Sequence, residues 1–356
     1  MLEIDGSKKS GSGTIVRDVM ALASLTRQPV RLTNIRAARR KPGLRPQHLT
    51  SIQAAAELSQ GRVNGASINS NTIEFYPGDY LTGGDFNWDI KTAGSTTMMA
   101  MTLIPIALFA EQESILSIKG GLFQDYAPTA FYLQKVFLKT LEKLGAEVRM
   151  TIVRPGYVPE GGGEIMLHIK PVKTPLKQIA LSDQGEINTI HGIAFSSHLE
   201  SAEVSERMAD SCEQVLQKSE YNTDINIRYD SKRDPYYDAP ALGAGAAFAI
   251  WAETSSGCVL GADMAGARGR PSEYIGESTA HNFLEDILCG ATVDRFLADQ
   301  LIPYSALAEG NSIYQFPELT DHIESRLWLI QKFLNADSKI HESTLTIHGV
   351  GFQPNS

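Results

Sequence analysis

An order of strands and helices that recurs along the chain constrains this fold more than anything in its composition. The opening residues read as a strand (2–5), a Gly/Ser loop, a helix (about 14–26) and a second strand (30–35). A basic loop, a helix at about 46–59 and strands near 63–68 and 72–76 complete a βαβαββ unit. From residue 86 the order returns. It gives a strand (86–90), an apolar helix opened by Gly94-Ser95-Thr96, a strand (114–118) and an amphipathic helix (129–144) that Gly145 terminates. Strands 148–153 and 164–169 follow, joined by a Pro/Gly-rich turn. A third unit is expected late in the chain, as a helix (271–288), a short buried element (300–306), a helix (322–334) and a strand (343–348). Residues 188–270 interrupt it with their own helix (201–219), strands (224–229 and 246–252) and charged loop (230–238). The expected class is α/β (α+β): three repeated βαβαββ units, with a small α/β domain inserted in the third. On this reading 1–187 and 271–356 form a large repeat domain, with units of about 1–78, 79–173 and the remainder, and 188–270 form the insert.

A hydrophobic content of 42% and a charged content of 21% belong to a globular chain with a proper core. Cys212, Cys258 and Cys289 lie far apart, without the spacing of a zinc site or disulfide framework, which suits a reducing compartment. The N-terminus carries acid where a signal peptide carries base, and the apolar stretch 98–110 is too short to cross a bilayer. A cytoplasmic protein without a membrane partner is expected. The net charge of −9 argues against a nucleic-acid partner, but six bases and no acid fall between Arg31 and Arg45. That run is either a solvated face or a local phosphate site.

Four segments could carry chemistry. The loop Gly6-Ser7-Lys8-Lys9-Ser10-Gly11-Ser12-Gly13 ends at a helix N-terminus, where free N–H groups suit a phosphate, although a plain strand–helix turn is the simpler account. In Arg36-Ala37-Ala38-Arg39-Arg40-Lys41-Pro42-Gly43-Leu44-Arg45-Pro46-Gln47-His48, arginines stand beside a helix start, a pattern suited to a phosphate or an RNA end. Phe296-Leu297-Ala298-Asp299-Gln300 offers a carboxylate and an amide to a base or ribose, or else is a polar helix end. His322 sits near a helix start, where such a residue is commonly a cap; a neutral imidazole there can also take up a nucleotidyl group covalently.

Together these residues resemble the RNA 3′-terminal phosphate cyclase family. Residues 36–48 match its signature RAxRxKPGLxxQH, and further blocks follow in order. They are Ala93-Gly94-Ser95, Lys119-Gly120-Gly121, YVPEGGG at 157–163, FLADQ at 296–300, and HxxS from His322 to Ser325. The resemblance implies three units similar to the C-terminal domain of a translation initiation factor. It also implies a ligase-type, nucleotidyl-transfer enzyme of RNA processing that uses ATP and a divalent metal (Mg or Mn) to convert an RNA 3′-phosphate to a 2′,3′-cyclic phosphate. By the same resemblance His322 is the adenylylated nucleophile. Arg17, Arg36, Arg39, Lys41, Gln47 and His48 serve the phosphates and the RNA end, and Phe296, Leu297, Ala298, Asp299, Gln300 and Met101 serve the nucleotide.

Two positions depart from the family pattern. Ser10 stands where the first loop normally has a glutamate near the metal, and Met101 where a glutamine is usual. These departures favour an alternative, a non-catalytic cyclase-like RNA-binding factor in ribosomal RNA processing, whereas His322 favours catalysis. An enolpyruvyl transferase, built from similar repeats, would need six of them, more than this chain holds.

Overall fold

The computed structural model describes residues 1–353. The first unit is β1 (Leu2–Asp5), α1 (Gly13–Thr26), β2 (Val30–Thr33), α2 (Pro46–Leu58), β3 (Arg62–Asn64) and β4 (Ile73–Tyr76). Its sheet runs β1-β2-β4-β3, with β1 parallel to β2 and the others antiparallel. Two expected strands are shorter here, because Asn34 and Gly65 take positive φ and turn the chain away from the ladder.

The second unit repeats that plan. It comprises β5 (Gly84–Asp89), α3 (Thr96–Leu108), β6 (Ser114–Gly120), a continuous helical run of α4 (Ala130–Tyr132), a wide turn at Leu133–Phe137 and α5 (Leu138–Lys143), then β7 (Glu147–Arg154) and β8 (Gly163–Lys170). Its strand order β5-β6-β8-β7 is that of the first sheet. Alternation along β7 buries Val148, Met150 and Ile152 on one face.

The third unit begins with β9 (Ala180–Leu181) and is broken at once. Next come β10 (Ile190–Ser197), α6 (Val204–Lys218), β11 (Thr223–Asp230), β12 (Gly245–Glu253), β13 (Val259–Ala265) and α7 (Ser272–Leu288). These strands make their own sheet, β11-β10-β12-β13. Helix α7 lies against α6, β12 and β13. The helix expected to open the third repeat therefore sits on the inserted sheet, because its buried face (Ile275, Thr279, Phe283) meets that layer. The repeat resumes with α8 (Leu297–Gln300), α9 (Ile302–Leu307), β14 (Glu309–Gln315), α10 (Asp321–Leu334), β15 (Ser338–His341) and β16 (Thr344–Val350). Its sheet, β9-β14-β16-β15, keeps the order of the other two.

The three repeats meet through helices. Helix α1 packs on α2, α3 and α10, and α3 also packs on α2. Nearly every residue of α3 is buried, which explains its continuous apolar sequence. Emptying such a site, as in Leu103→Ala, costs about 2–5 kcal/mol. Among the described residues no helix is long and apolar enough to cross a membrane.

Candidate functional site

Because α2 and α10 both pack on α1, the N-terminal turns of the three helices open on one cleft of about 870 Å³. Ser12, Gly13 and Thr14 come from α1, Gln47 and His48 from α2, and Thr320 and His322 from the start of α10. Ser12 caps α1 by accepting from Thr14 N at 3.3 Å, and Thr320 caps α10 by accepting from Ile323 N at 3.2 Å. Three positive helix ends thus face one volume, and Arg17, Arg36 and Arg39 line it beside them. Such an arrangement offers positive potential to an anion.

The imidazole of His322 is fixed at this end. Its Nδ1 lies 3.0 Å from Thr14 Oγ1, which also accepts from Arg17 Nη2 at 3.1 Å. Burial pushes the His322 pKa down; Asp299 opposes this, while Arg326, Arg17 and Arg39 add to it. His48 is driven down to about 2, first by burial and then by Arg17, Arg36, Arg45 and Arg39. Both rings are therefore neutral near pH 7. Burial lowers Arg17 to about 10. Arg36 is lowered by burial and by its neighbours Arg45 and Arg39, the repulsion expected between adjacent cations. Gly13 makes the cradle possible: a Cβ there would fall 2.5 Å from His48 Nε2 and 3.1 Å from Arg17 Nη1.

The basic loop is held from within. Arg36 Nη1 donates to the carbonyls of Lys41 and Gly43 at 2.8 and 2.7 Å, so this arginine shapes the loop as well as lining the cleft. Gln47 Oε1 accepts from Ser95 N at 2.9 Å, joining the start of α2 to the Ala93-Gly94-Ser95 turn of the second repeat. Lys41 is exposed and lies off the cleft lining.

Away from these helix ends, the cleft is walled by loop 124–129, by Asp263, Met264 and Ala265 of β13, and by α7. Phe296 also faces the cleft, is 36% exposed, and meets Tyr132 edge-on. Asp294 anchors this wall. Its Oδ1 accepts from Tyr132 OH at 2.6 Å and from Phe296 N and Leu297 N at 2.9 Å each, and its Oδ2 accepts from Gly261 N at 2.9 Å. Burial raises its carboxyl to about 7 against the pull of those donors.

The FLADQ segment divides. Phe296, Asp299 and Gln300 line the cleft; Leu297 and Ala298 are buried away from it, with the Ala298 carbonyl accepting from Tyr314 OH at 2.8 Å. Asp299 and Gln300 are themselves held by α10. Arg326 Nη1 lies 2.8 Å from Asp299 Oδ2, Nη2 donates to Gln300 Oε1 at 2.9 Å, and Nε donates to Asp18 Oδ2 at 2.8 Å. Met101 is absent from the cleft lining and faces a small internal cavity shared with Asp18, Gln300 and Arg326; Met98, one turn earlier in α3, reaches the cleft instead. Ser10 contributes its hydroxyl to a chain with Ser12 and Ser325 Oγ, at 3.0 and 2.9 Å. Sequence reasoning missed Thr14, Arg326 and Asp294. Of these, Arg326 had a visible signal, its i+4 spacing from His322 on one helix face.

The sequence model of the family described as RNA 3′-terminal phosphate cyclase matches residues 8–340. The chain belongs to the RNA 3′-terminal phosphate cyclase family. Proteins named RNA 3′-terminal phosphate cyclase are 38% identical to it in Caldivirga maquilingensis, over 95% of this chain and 94% of theirs, and 38% in Ignicoccus hospitalis, over 94% and 93%. The protein of that name in Hyperthermus butylicus is 36% identical over 100% of both chains. Identity at this level over nearly the whole length marks the chain as an enzyme of the cyclase family. Among solved structures, the enolpyruvyl transferase NikO from Streptomyces tendae matches at a TM-score of 0.42 and 11% identity, over 100% of this chain and 49% of its own.

Proposed function

We propose that this enzyme converts an RNA 3′-terminal phosphate to a 2′,3′-cyclic phosphate at the expense of ATP, and that His322 carries the adenylyl group between them. The observation that carries the reading is the neutral His322 ring, tied to Thr14 among three helix N-termini and three arginines. In the tautomer that carries its proton on Nδ1, His322 donates to Thr14 Oγ1 and its Nε2 lone pair is free to attack phosphorus. His322 Nε2 bonds to the α-phosphorus of ATP and pyrophosphate leaves. An oxygen of the RNA 3′-phosphate then takes the adenylyl group, restoring the imidazole. Finally the neighbouring 2′-hydroxyl attacks that phosphate, loses its proton, and expels AMP. Each step is a displacement at phosphorus, in which positioned positive charge does most of the catalysis.

The residues fit ATP. The cleft has the volume, Gly13 leaves the close approach, His48 Nδ1 is a buried atom without a hydrogen-bond partner among the described residues, and Phe296 offers a ring to a base. A protein-held divalent cation fits poorly. Among the described residues no three His, Cys, Asp or Glu side chains group so as to hold a metal ion, and the Ser10 hydroxyl is occupied by its serine neighbours. No step here is routed through the metal.

Incubation with α-labelled ATP, with Mg²⁺ or Mn²⁺, should label the wild type and leave His322→Ala unlabelled. Equal labelling of the variant would overturn the role of His322. A 3′-phosphorylated oligonucleotide should become phosphatase-resistant only with ATP; persistent sensitivity would favour the non-catalytic RNA-binding reading.

A further inference from the structure

The charge balance at the phosphate end points to a residue that nothing above assigns to the reaction. Asp299 is the carboxylate that interacts there with both His322 and Arg17. A hard divalent cation would look for an oxygen of this kind. A cation already faces that carboxylate, because Arg326 Nη1 stands 2.8 Å from Asp299 Oδ2 as an ion-pair contact, and its Nε binds Asp18 at 2.8 Å. Arg326 is 3% exposed, so this pairing is screened little by solvent. Burial disfavours its charge, but Asp18 and Asp299 more than offset that, and its pKa is raised. Two buried carboxylates, Asp18 and Asp299, are thus matched by two buried guanidiniums, Arg17 and Arg326. The centre has no negative charge left over for a cation.

We propose that Arg326 is a positioning residue that stands in for a protein-bound divalent metal. It neutralises Asp299 and fixes Asp299 and Gln300 against α1. Metal then enters only as a complex on the phosphates of the bound nucleotide. Because Arg326 lies one turn beyond His322 on α10, the same helix presents both the nucleophile and the fixed cation. A mobile ion would have to be captured anew at each turnover; a side chain held by three partners is in place beforehand. The inference rests on reading this end as a nucleotide-phosphate site, but its test needs no nucleotide.

Electron paramagnetic resonance of free Mn²⁺, with the full-length protein and no nucleotide, measures uptake directly. The wild type should leave the free-ion signal undiminished. Arg326→Gln frees two carboxylates and should take up Mn²⁺ at least roughly tenfold more tightly. Since leaving those charges buried and unpaired can prevent folding, Asp18→Asn/Arg326→Gln provides a second variant that removes one charge of each sign and leaves Asp299 open. Adding Asp299→Asn should abolish the gained site. One Mn²⁺ bound per wild-type chain, or a folded variant binding no better than wild type, would overturn the proposal. Neither result depends on whether His322 is labelled by ATP.

Discussion

Gly13→Ala tests the cradle with a single methyl group. The new Cβ would fall 2.5 Å from His48 Nε2, whereas ordinary contact begins near 3.4 Å, so the ring must retreat by about 0.9 Å. His48 is 4% exposed and walled in, and Arg17 Nη1, 3.1 Å from the same point, closes the other direction. Fold stability should fall by no more than about 3 kcal/mol. Alanine improves on glycine in a helix by up to about 1 kcal/mol, and forced packing costs about 1–3 kcal/mol. The chemistry should suffer far more, because a side chain that frames the reacting phosphate, displaced by about 1 Å, costs on the order of 10²-fold in rate. The assay is the initial rate of α-labelled AMP uptake, set beside a thermal melt and ATP titration of the same preparation. A variant that melts like wild type yet adenylylates within about twofold of it would refute the claim that Gly13 and His48 frame the phosphate.

Acid should destabilise the chain through His48. Its folded pKa near 2 lies below the unfolded value of 6.5, so the folded form binds fewer protons between them, and stability falls as pH drops below 6.5. The loss is about 1.4 kcal/mol per pH unit, and urea melts at about pH 7.5 and 5.5 should show a smaller loss in His48→Gln than in wild type. Asp294→Asn leaves backbone donors of Gly261, Phe296 and Leu297 facing an amide; a destabilisation of about 2–4 kcal/mol and weaker ATP binding are expected, the latter checked by calorimetry. Lys41→Ala should leave AMP transfer unchanged, since this exposed side chain lies off the cleft; a large drop in the label assay would return it to the phosphate group.

The repeats were legible because each carries its own period switches and caps, such as Ser95 before the apolar helix and Gly145 after the amphipathic one. The third was read less well. Its opening strand is only Ala180–Leu181, too short for a periodic signal, and α7 looks like any half-buried helix until its partner α6 is known. In the site, the basic run was visible as composition, but its internal use of Arg36 was not, because those hydrogen bonds form only once Gly43 turns with φ +77. Asp299 and Gln300 were singled out for a ligand. Arg326, which contacts both, lies 26 residues beyond Gln300 and could be placed against them only by packing α10 against α8 and α1.

The interruption of the third repeat also bears on the order in which the molecule assembles. Ala180 pairs with Ile313 in the parallel contact of β9 and β14, so closing that sheet joins residues 133 apart. Contacts of such sequence separation form late, after the entropy of the intervening loop has been reduced by the insert folding on itself. The cleft draws its floor from the repeats and one wall from the insert, and is completed only by that closure. On that order the cleft should be among the last parts of the chain to form. A lesion buried in the inserted sheet should slow the recovery of ATP binding during refolding while the first two repeats regain their structure at the normal rate.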